Sequence, residues 1–381
     1  MKKRFLAVAA MVVALASLTA CSSGSSTETT AAAGESSMEQ SAADGETTVA
    51  QEAASGDMHI DVIAKGFQHQ FWKAVEQGSN KAAKEFGVTV TFQGPDNESA
   101  IAQQVEYLNA AIAKQPTAIC LAALDTTACL DAIKDAQSKN IPIIDKGIPI
   151  IGFDSGVPDA PEGAIKANAA TDNKAAGELA ATEMYKLIED KIKSASGTVR
   201  IGVVAQESNS QSIVSRTKGF VDKMVELVGK DDVSVEGHDS LKAEKAGAKV
   251  VIEVGIPAEV KDADAVAVAS AILEKDDLIA IYGSNEFAAN AIITANEGLD
   301  KLGEGKVVAV GFDAGAKLLD AIEAKTFAGA VTQDPVQIGY QAVKLAVAAA
   351  KGETVKDVDT GALWYNADNM DAPEIAPCLY K

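Results

Sequence analysis

The 381-residue chain carries 34 basic and 54 acidic residues, so its formal net charge at pH 7 is −20. This excess of acid argues against a nucleic-acid partner, because binding to a polyanion requires clustered Lys and Arg side chains. Hydrophobic residues make up 47% of the chain, which is enough for large buried cores, and the length favours about two domains.

Residues 1–20 have the pattern of an export signal. Basic residues precede the apolar run Phe5–Leu18, which is too short to span a bilayer comfortably. The run ends in Leu18-Thr19-Ala20-Cys21, which resembles the bacterial lipoprotein cleavage motif and implies cleavage before Cys21 and a diacylglycerol on its sulfur. The alternative is a plain secretory signal with an incidental cysteine. No other run of 18 or more apolar residues exists, so the lipid would be the only membrane anchor.

Residues 21–57 are rich in Ser, Thr, Ala, Gly and Glu and contain almost no large apolar side chain. Such a segment cannot bury enough surface to fold, so we expect a disordered tether.

Beyond the tether the chain contains Cys120, Cys129 and Cys378. Their odd number and the lack of C-x-x-C spacing argue against a disulfide framework. We expect buried free thiols.

From Met58 onward, apolar runs alternate with amphipathic helical patterns such as Ile101, Val105, Leu108 and Ile112. This alternation is typical of βαβ units, and about ten strands over some 320 residues fit two doubly wound parallel sheets better than one. The predicted strands are Ile60–Lys65, Val88–Gln93, Ala118–Leu124, Pro149–Asp154, Ala164–Ala169, Val199–Ala205, Val250–Gly255, Leu278–Gly283, Val307–Phe312 and Gly329–Thr332.

One hexapeptide pattern, residues 139–144, recurs at 146–151. Both copies cannot occupy one short strand. Because Gly152-Phe153-Asp154 follows the second copy, we predict that the second forms the strand and that the first extends the preceding loop.

Catalytic and metal-binding patterns are weak. The three histidines, His59, His69 and His238, have no metal-ligand spacing, and there is no G-x-x-x-x-G-K-[ST] loop or G-x-S-x-G elbow. We therefore predict no enzyme activity, no cofactor and no metal.

Polar residues directly follow several of the predicted strands, where the carboxyl ends of parallel strands bind ligands in open α/β sheets. Carboxylates accept hydrogen bonds from hydroxyl groups, and amides both donate and accept, so such a set suits a neutral polyhydroxylated ligand. The alternative for any one of them is an N-cap of the next helix. The residues are Asp125, Asp154, Asn285, Asp313 and Gln333.

An aromatic pair, Phe71-Trp72, lies at the turn between the first strand and the first helix, in a chain that is only 5% aromatic. It could stack on the apolar face of a sugar ring, or it could simply seat the helix on the sheet. Arg216 is one of two arginines beyond the signal, and its fork suits bidentate contact with adjacent hydroxyls; the alternative is a surface salt bridge.

With these residues in view, the chain resembles the bacterial ribose/galactose-type periplasmic binding proteins, the solute receptors of ABC sugar importers, over roughly Met58–Lys381. The similarity is carried by the Phe71-Trp72 turn, Asn140-Ile141-Pro142, Gly147-Ile148-Pro149, Thr171-Asp172-Asn173, Arg216-Thr217-Lys218-Gly219-Phe220, Ser284-Asn285-Glu286, Val310-Gly311-Phe312-Asp313 and Thr332-Gln333-Asp334-Pro335.

The resemblance implies that Phe71 and Trp72 hold a sugar ring. It also implies that its hydroxyls are bound by Asp154, Arg216, Asn285, Asp313 and Gln333. The chain departs from the ribose-receptor pattern at His69, which replaces an Asn, and at Ser155, which replaces an Arg. At Ala122 a polar strand-end residue is missing, and Asp125 is the nearest substitute. These departures leave the identity of the sugar open and argue against ribose in particular.

The resemblance implies an α/β fold of two doubly wound parallel-sheet lobes joined by a multi-crossing hinge, the type I periplasmic binding protein architecture. The expected lobes are residues 58–171 plus 334–360 and residues 172–333 plus 361–381, with crossings near Thr171, Gln333 and Thr360.

We expect a monomeric, lipid-anchored extracytoplasmic receptor that delivers a monosaccharide or related polyol to an ABC permease. The alternatives are a sugar sensor for a chemoreceptor or sensor kinase, and a receptor for a nucleoside or furanose signal. A repressor of the lac type is disfavoured by the export signal and by the lack of a basic N-terminal helix-turn-helix. An enzyme is disfavoured by the lack of an activated nucleophile.

Overall fold

Two mostly parallel β-sheets, each covered by helices, make up the computed structural model, which describes residues 58–67, 69–138 and 148–381. The expected signal peptide, the lipid-anchor residue Cys21, the tether and the first copy of the hexapeptide repeat lie outside the described residues.

Within the described part, the strands are β1 His59–Ile63, β2 Thr89–Gln93, β3 Ala118–Leu121, β4 Ile150–Phe153, β5 Ile165–Ala170, β6 Val199–Val204, β7 Val233–Glu236, β8 Val250–Gly255, β9 Leu278–Gly283, β10 Val308–Phe312, β11 Gly329–Gln333, β12 Val358–Asp359 and β13 Ala362–Tyr365. The helices are α1 Gln70–Phe86, α2 Ile101–Lys114, α3 Thr126–Ser138, α4 Asn173–Ser194, α5 Gln211–Val228, α6 Asp262–Leu273, α7 Glu286–Leu299, α8 Ala316–Glu323 and α9 Pro335–Ala350, and a short 3₁₀ turn covers Ala376–Cys378. Among the residues described, no helix is long and apolar enough to cross a membrane.

The strand order is β12-β5-β4-β3-β1-β2 in the first sheet and β13-β11-β10-β9-β6-β8-β7 in the second. All pairings are parallel except that of β11 with β13. Central strands such as β3 and β4 are buried along their whole length, as expected for parallel strands covered on both faces. The predicted α/β fold class is confirmed.

All ten predicted strands are present, with their ends shifted by a few residues at most. The second copy of the repeat enters β4, as predicted. Three strands were missed: β7, β12 and β13, none longer than four residues. Each of them lies at an edge of its sheet, where a short pairing leaves little periodic signal in the sequence.

The chain passes between the sheets at three places, between β5 and α4, between β11 and α9, and between β12 and β13. The first and third passages are hydrogen bonded to each other. Thr171 Oγ1 lies 3.4 Å from Thr360 Oγ1 and donates to the carbonyl of Gly361 at 3.1 Å. The amide of Asp172 donates to the Asp359 carboxylate at 3.1 Å. These contacts align the connecting segments side by side, which is the arrangement that a hinge requires.

Helix α9 returns to the first sheet and packs tightly against α1 through a pair of glycines. A Cβ atom on Gly78 would lie 1.9 Å from the carbonyl oxygen of Val336, and one on Gly339 would lie 2.0 Å from that of Val75. The helices can therefore approach this closely only because neither glycine has a side chain.

We expect Gly78→Ala to lower the free energy of unfolding by about 1–3 kcal/mol, because the added methyl group meets backbone atoms that cannot move aside. The matched control is Gly298→Ala in the last turn of α7, where a Cβ would meet nothing within 4 Å. That change should leave stability unchanged or raise it by up to about 1 kcal/mol. Urea unfolding followed by circular dichroism measures both, and equal effects of the two changes would contradict the packing argument.

Candidate functional site

The carboxyl ends of strands from both sheets face a common cavity of about 310 Å³, counting the space open at its mouth. Its volume is much smaller than that of the surface groove beside the loop 156–163, which is about 1050 Å³. Of the nine predicted ligand-binding residues, the structure brings eight together at this cavity: His69, Phe71, Trp72, Asp154, Arg216, Asn285, Asp313 and Gln333. The other lining residues are Lys65, Glu98, Ser212, Ile213 and Glu286.

Asp125 does not reach the cavity. Its carboxylate accepts a hydrogen bond from the amide of Ala128 at 2.8 Å and so caps the start of α3. Ala122, just beyond β3, offers no polar side chain at this strand end, and its carbonyl accepts a hydrogen bond from the side chain of Gln104. For this residue the structure shows the N-cap that was the alternative to a ligand contact.

The aromatic pair lines the cavity and also seats helix α1. Phe71 and Trp72 meet edge to face, with ring centroids 5.0 Å apart and planes at 87°. Trp72 also packs edge-on against Phe153. Its indole Nε1 donates to Glu98 Oε1 at 2.7 Å. The pair therefore seats the helix and also lies at the cavity wall, and the indole is fixed by a charge-assisted hydrogen bond.

A buried cation, Lys65, lies at the end of β1 among carboxylates. Its ammonium is 3.3 Å from Asp154 Oδ2 and 3.9 Å from Glu98 Oε2, and it donates to Ser212 Oγ at 3.1 Å. Burial opposes the charged ammonium, but Asp154, Glu98 and Glu207 together outweigh it and raise the pKa of Lys65.

The two neighbouring carboxyls respond differently. Burial raises the pKa of Asp154, and the opposing charges of Lys65 and Arg216 offset this only in part. Burial also acts on Glu98, but His69 and Lys65 outweigh it, and the pKa of Glu98 is lowered. Of these two carboxyls, Glu98 is therefore the one that is held more firmly in the charged form.

Arg216 is almost fully buried, at 2% exposure, so it forms no surface salt bridge. Its Nε and Nη2 donate to Asn173 Oδ1 at 3.1 and 2.7 Å, and its Nη1 donates to the carbonyl of Ser284 at 2.9 Å. The guanidinium lies over the ring of Phe312, 3.6 Å from its centroid, and 3.8 Å from Asp313 Oδ2. These contacts fix its orientation toward the cavity.

Both copies of Gly-Phe-Asp end in an aspartate with left-handed backbone geometry, with φ of +54° at Asp154 and +72° at Asp313. Such angles are uncommon outside glycine, and strained backbone of this kind is often found at functional sites. Asp313 accepts from Gln333 Nε2 at 2.7 Å and from the amide of Glu286 at 3.1 Å.

Asn285 is the N-cap of α7, because its Oδ1 accepts from the amide of Ala288 at 3.0 Å. Its Nδ2 donates to Gln206 Oε1 at 2.6 Å. Gln206 in turn donates to Glu98 Oε2 at 2.8 Å, which links the two sides of the cavity. Asn285 therefore serves as helix cap and cavity wall at once.

Three buried side-chain atoms of the cavity make no hydrogen bond: His69 Nε2, Asp154 Oδ2 and Gln333 Oε1. Asp154 Oδ2 lies 3.3 Å from the ammonium of Lys65, and His69 Nε2 lies 3.4 Å from Glu98 Oε1. Buried polar atoms that lack a partner cost free energy, so a ligand that pairs with them gains affinity.

The sequence reasoning missed Lys65, Glu98, Ser212 and Glu286. Lys65 lies two residues beyond the end of the apolar strand β1, and a charge at that place is a signal that could have been used. Glu98 lies in the irregular segment between β2 and α2, where no periodicity marks it. Ser155, which stands in the place of an expected arginine, accepts from the amide of Ser212 at 3.3 Å.

The three cysteines of the described part are free and buried, as predicted. Burial raises the pKa of Cys129 to about 12, with a further increase from Asp125. In the described ranges, no group of three or more His, Cys, Asp or Glu residues is arranged to hold a metal ion.

The sequence matches the family model described as "Periplasmic binding protein domain" over residues 60–354. It is 25% identical over 301 residues to the D-allose-binding periplasmic protein of Escherichia coli strain K12, covering 78% of this chain and 86% of the relative.

Two solved structures extend the comparison. One is titled as an ABC transporter, LacI family transcriptional regulator from Brachyspira murdochii; it has 37% identity and a TM-score of 0.69, over 85% of this chain and 99% of the other. The second, an ABC transporter solute-binding protein from Agrobacterium vitis with bound D-fucose, has 30% identity and a TM-score of 0.71, over 84% of this chain and 100% of the other.

We expect Lys65→Met to lower the free energy of unfolding at pH 7 by about 3 kcal/mol, because it leaves buried carboxylates without their cation. The pKa of Asp154 is already raised and rises further without Lys65, so protonation relieves the repulsion as the pH falls. The loss should therefore be smaller at pH 5 than at pH 7.

Urea unfolding at the two pH values measures this difference. The control is Lys73→Met on the exposed face of α1, which should change stability little at either pH. A loss in Lys65→Met that does not depend on pH would contradict the ion-cluster interpretation.

Proposed function

Because this chain belongs to the periplasmic binding protein family, we propose that it is a solute receptor that binds a monosaccharide or related polyol between its two lobes. Supporting relatives are the D-allose-binding protein and the solute-binding protein with bound D-fucose. We further propose that the receptor delivers its ligand to an ABC permease and performs no catalysis itself.

The observation that carries the proposal is the set of hydrogen-bonding atoms without partners beside an aromatic wall. Gln333 Oε1 is an acceptor without a donor, and Asp154 Oδ2 is an acceptor that is paired only with the ammonium of Lys65, so sugar hydroxyls can donate to both. Phe71 and Trp72 supply an apolar surface for the C–H face of a ring. A neutral ligand with many hydroxyls satisfies both requirements.

The remaining polar residues would fix the orientation of that ligand. Arg216 is a rigid donor that is held by Asn173 through Nε and Nη2, and its Nη1 lies 3.8 Å from the acceptor Asp313 Oδ2. Lys65 adds a second cation beside Asp154. His69 lies at the N-terminus of α1 and also lines the cavity. Together these groups would hydrogen-bond the hydroxyls around the edge of the ring, and Asn285 would form the cavity wall behind them.

Ligand entry requires that the lobes separate. The cavity is narrow and its walls are joined by direct bonds from lobe to lobe, such as Lys65 to Ser212 and Gln206 to Glu98. We propose that the lobes are residues 58–171 plus 334–360 and 172–333 plus 361–381, and that they rotate about the three connecting segments. A ligand drives closure only by binding the closed form more tightly.

We also propose that the mature receptor is a monomer outside the cytoplasm, held at the membrane by a lipid on Cys21 through the tether 21–57. The Leu18-Thr19-Ala20-Cys21 sequence supports this anchor. A tether rich in small polar residues would let the folded body reach a permease in the same membrane.

We expect Asp154→Asn and Asp313→Asn each to weaken sugar binding about 10–100-fold, because each change removes a charged acceptor of hydroxyl groups. The measurement is the shift of the melting temperature with sugar, relative to the same variant without sugar, over D-allose, D-fucose, other hexoses, pentoses, polyols and nucleosides.

Asp125→Asn is the matched control, since Asp125 caps a helix outside the cavity and Asn is an equally good cap. It should retain the full shift. The site assignment is wrong if either cavity variant shifts as much as the wild type does.

We expect Cys21→Ala to release the protein from the membrane fraction of cells into the soluble fraction, because no lipid can then be attached. The measurement is fractionation followed by detection of the folded domain. Cys378→Ala, which changes a buried free thiol, is the control and should remain membrane-bound. Membrane retention of the Cys21 variant would overturn the lipid anchor.

A further inference from the structure

Helix α1 is capped by a residue of the other lobe. Its own N-cap residue, His69, makes no side-chain cap hydrogen bond. Instead the amides of Gln70 and Phe71 donate to Glu286 Oε1 and Oε2, at 3.3 and 3.2 Å. Glu286 is the first residue of α7, which follows a strand of the second sheet. The first turn of α1 is therefore satisfied from across the cleft.

Helix α8 is capped in the opposite direction. Its N-cap residue is Gly315, which has no side chain that could cap the helix. The amide of Ala316 donates to Gln70 Oε1 at 2.9 Å, so a residue of the first lobe caps a helix of the second. Gln70 thus accepts for α8 with its side chain while its own amide is held by Glu286.

Gly315 leaves room for the two capping side chains, those of Glu286 and Gln70. A Cβ atom at this position would lie 2.9 Å from Glu286 Oε1 and 3.3 Å from Gln70 Oε1. The residue also has φ of +96°, which favours glycine. A side chain here would therefore disturb the two cross-lobe caps together.

The buried charge of Glu286 depends on the same closed arrangement. The residue is 4% exposed and faces His69, Asp313 and the amino end of α1. Burial raises its pKa, Asp313 adds to this, and His69 and the two amides of α1 oppose it. When the lobes separate, the carboxylate returns to water and the helix loses its cap.

We propose that Gln70 and Glu286 form a reciprocal latch between the lobes, made only in the closed receptor, that sets how much of the receptor is closed and hence how tightly it binds. This inference rests on the proposed function, because it assigns a positioning role to residues of the same receptor. Gln70 acts without lining the cavity, whereas Glu286 also lines it. The apparent affinity falls in proportion to the closed fraction of the receptor.

The test uses Gln70→Ala, which removes the cap of α8 and changes no cavity-lining side chain, and Gly315→Ala, which crowds both caps. We expect Gln70→Ala to bind the sugar that stabilises the wild type about fivefold more weakly, the effect of one lost helix cap, and Gly315→Ala to bind it at least as weakly, because both caps are crowded. Calorimetric titration gives the affinity, and small-angle X-ray scattering of the ligand-free and saturated proteins gives the degree of closure. Without ligand both variants should be more expanded than the wild type, and at saturation they should match it.

Asp125→Ala is the control, because it removes a helix cap that lies within one lobe. It should lower the melting temperature while leaving sugar affinity and ligand-free scattering as in the wild type. A structural effect of cap loss alone would instead make the three variants behave alike.

The latch is overturned if Gln70→Ala and Gly315→Ala bind with unchanged affinity and scatter as the wild type does. If no sugar stabilises the wild type, the proposed function fails, and ligand-free scattering alone decides the latch. In that case variants no more expanded than the wild type overturn it, and more expanded variants support it as a closure device for another ligand.

Discussion

The cleft between the two mostly parallel sheets buries charged side chains, and the rest of the site depends on how those charges are compensated. The carboxyl ends of strands from both sheets meet there, and Lys65 is the cation that lies within 4 Å of both Asp154 and Glu98. Removing one partner of a buried ion pair costs several kcal/mol, so the cluster must be assembled as a unit. The same cost makes the cleft selective, because a ligand that leaves these groups unpaired is rejected.

Helix starts provide the rigidity that such a cleft requires. Asn285 caps α7 and walls the cavity, and Asp313 accepts the first amide of that helix beside Arg216. Helix capping and ligand contact first looked like alternative roles for a strand-end residue. In a doubly wound sheet they coincide, because the strand end and the next helix start lie at the same edge. A residue that caps a helix is held in place before any ligand arrives.

The sequence predicts the parts of this structure that follow from local pattern. Apolar runs in alternation with helical patterns marked ten strands of the described part, and the rule of ligand binding at strand ends led to Asp154, Asp313 and Gln333. The edge strands β12 and β13 were missed because they follow one another with no helix between them, outside the alternation of strands and helices. Glu98 was missed for a different reason, since its role depends on Trp72 and Gln206, which are distant in sequence. Charge compensation is a property of the folded arrangement.

This receptor differs from the ribose-receptor pattern in the residue that provides positive charge beside Asp154. That pattern has an arginine after the strand aspartate, where this chain has Ser155, and Ser155 contacts the amide of Ser212 instead. The positive charge beside Asp154 comes from Lys65 on a neighbouring part of the sheet. An arginine presents a planar fork that binds two adjacent hydroxyls, whereas a lysine is a point charge on a flexible stem. Lys65 therefore offers Asp154 a point charge that, together with Arg216, offsets only part of the cost of burying the carboxylate, and the rim of the cleft differs in shape from the one that the ribose-receptor pattern implies.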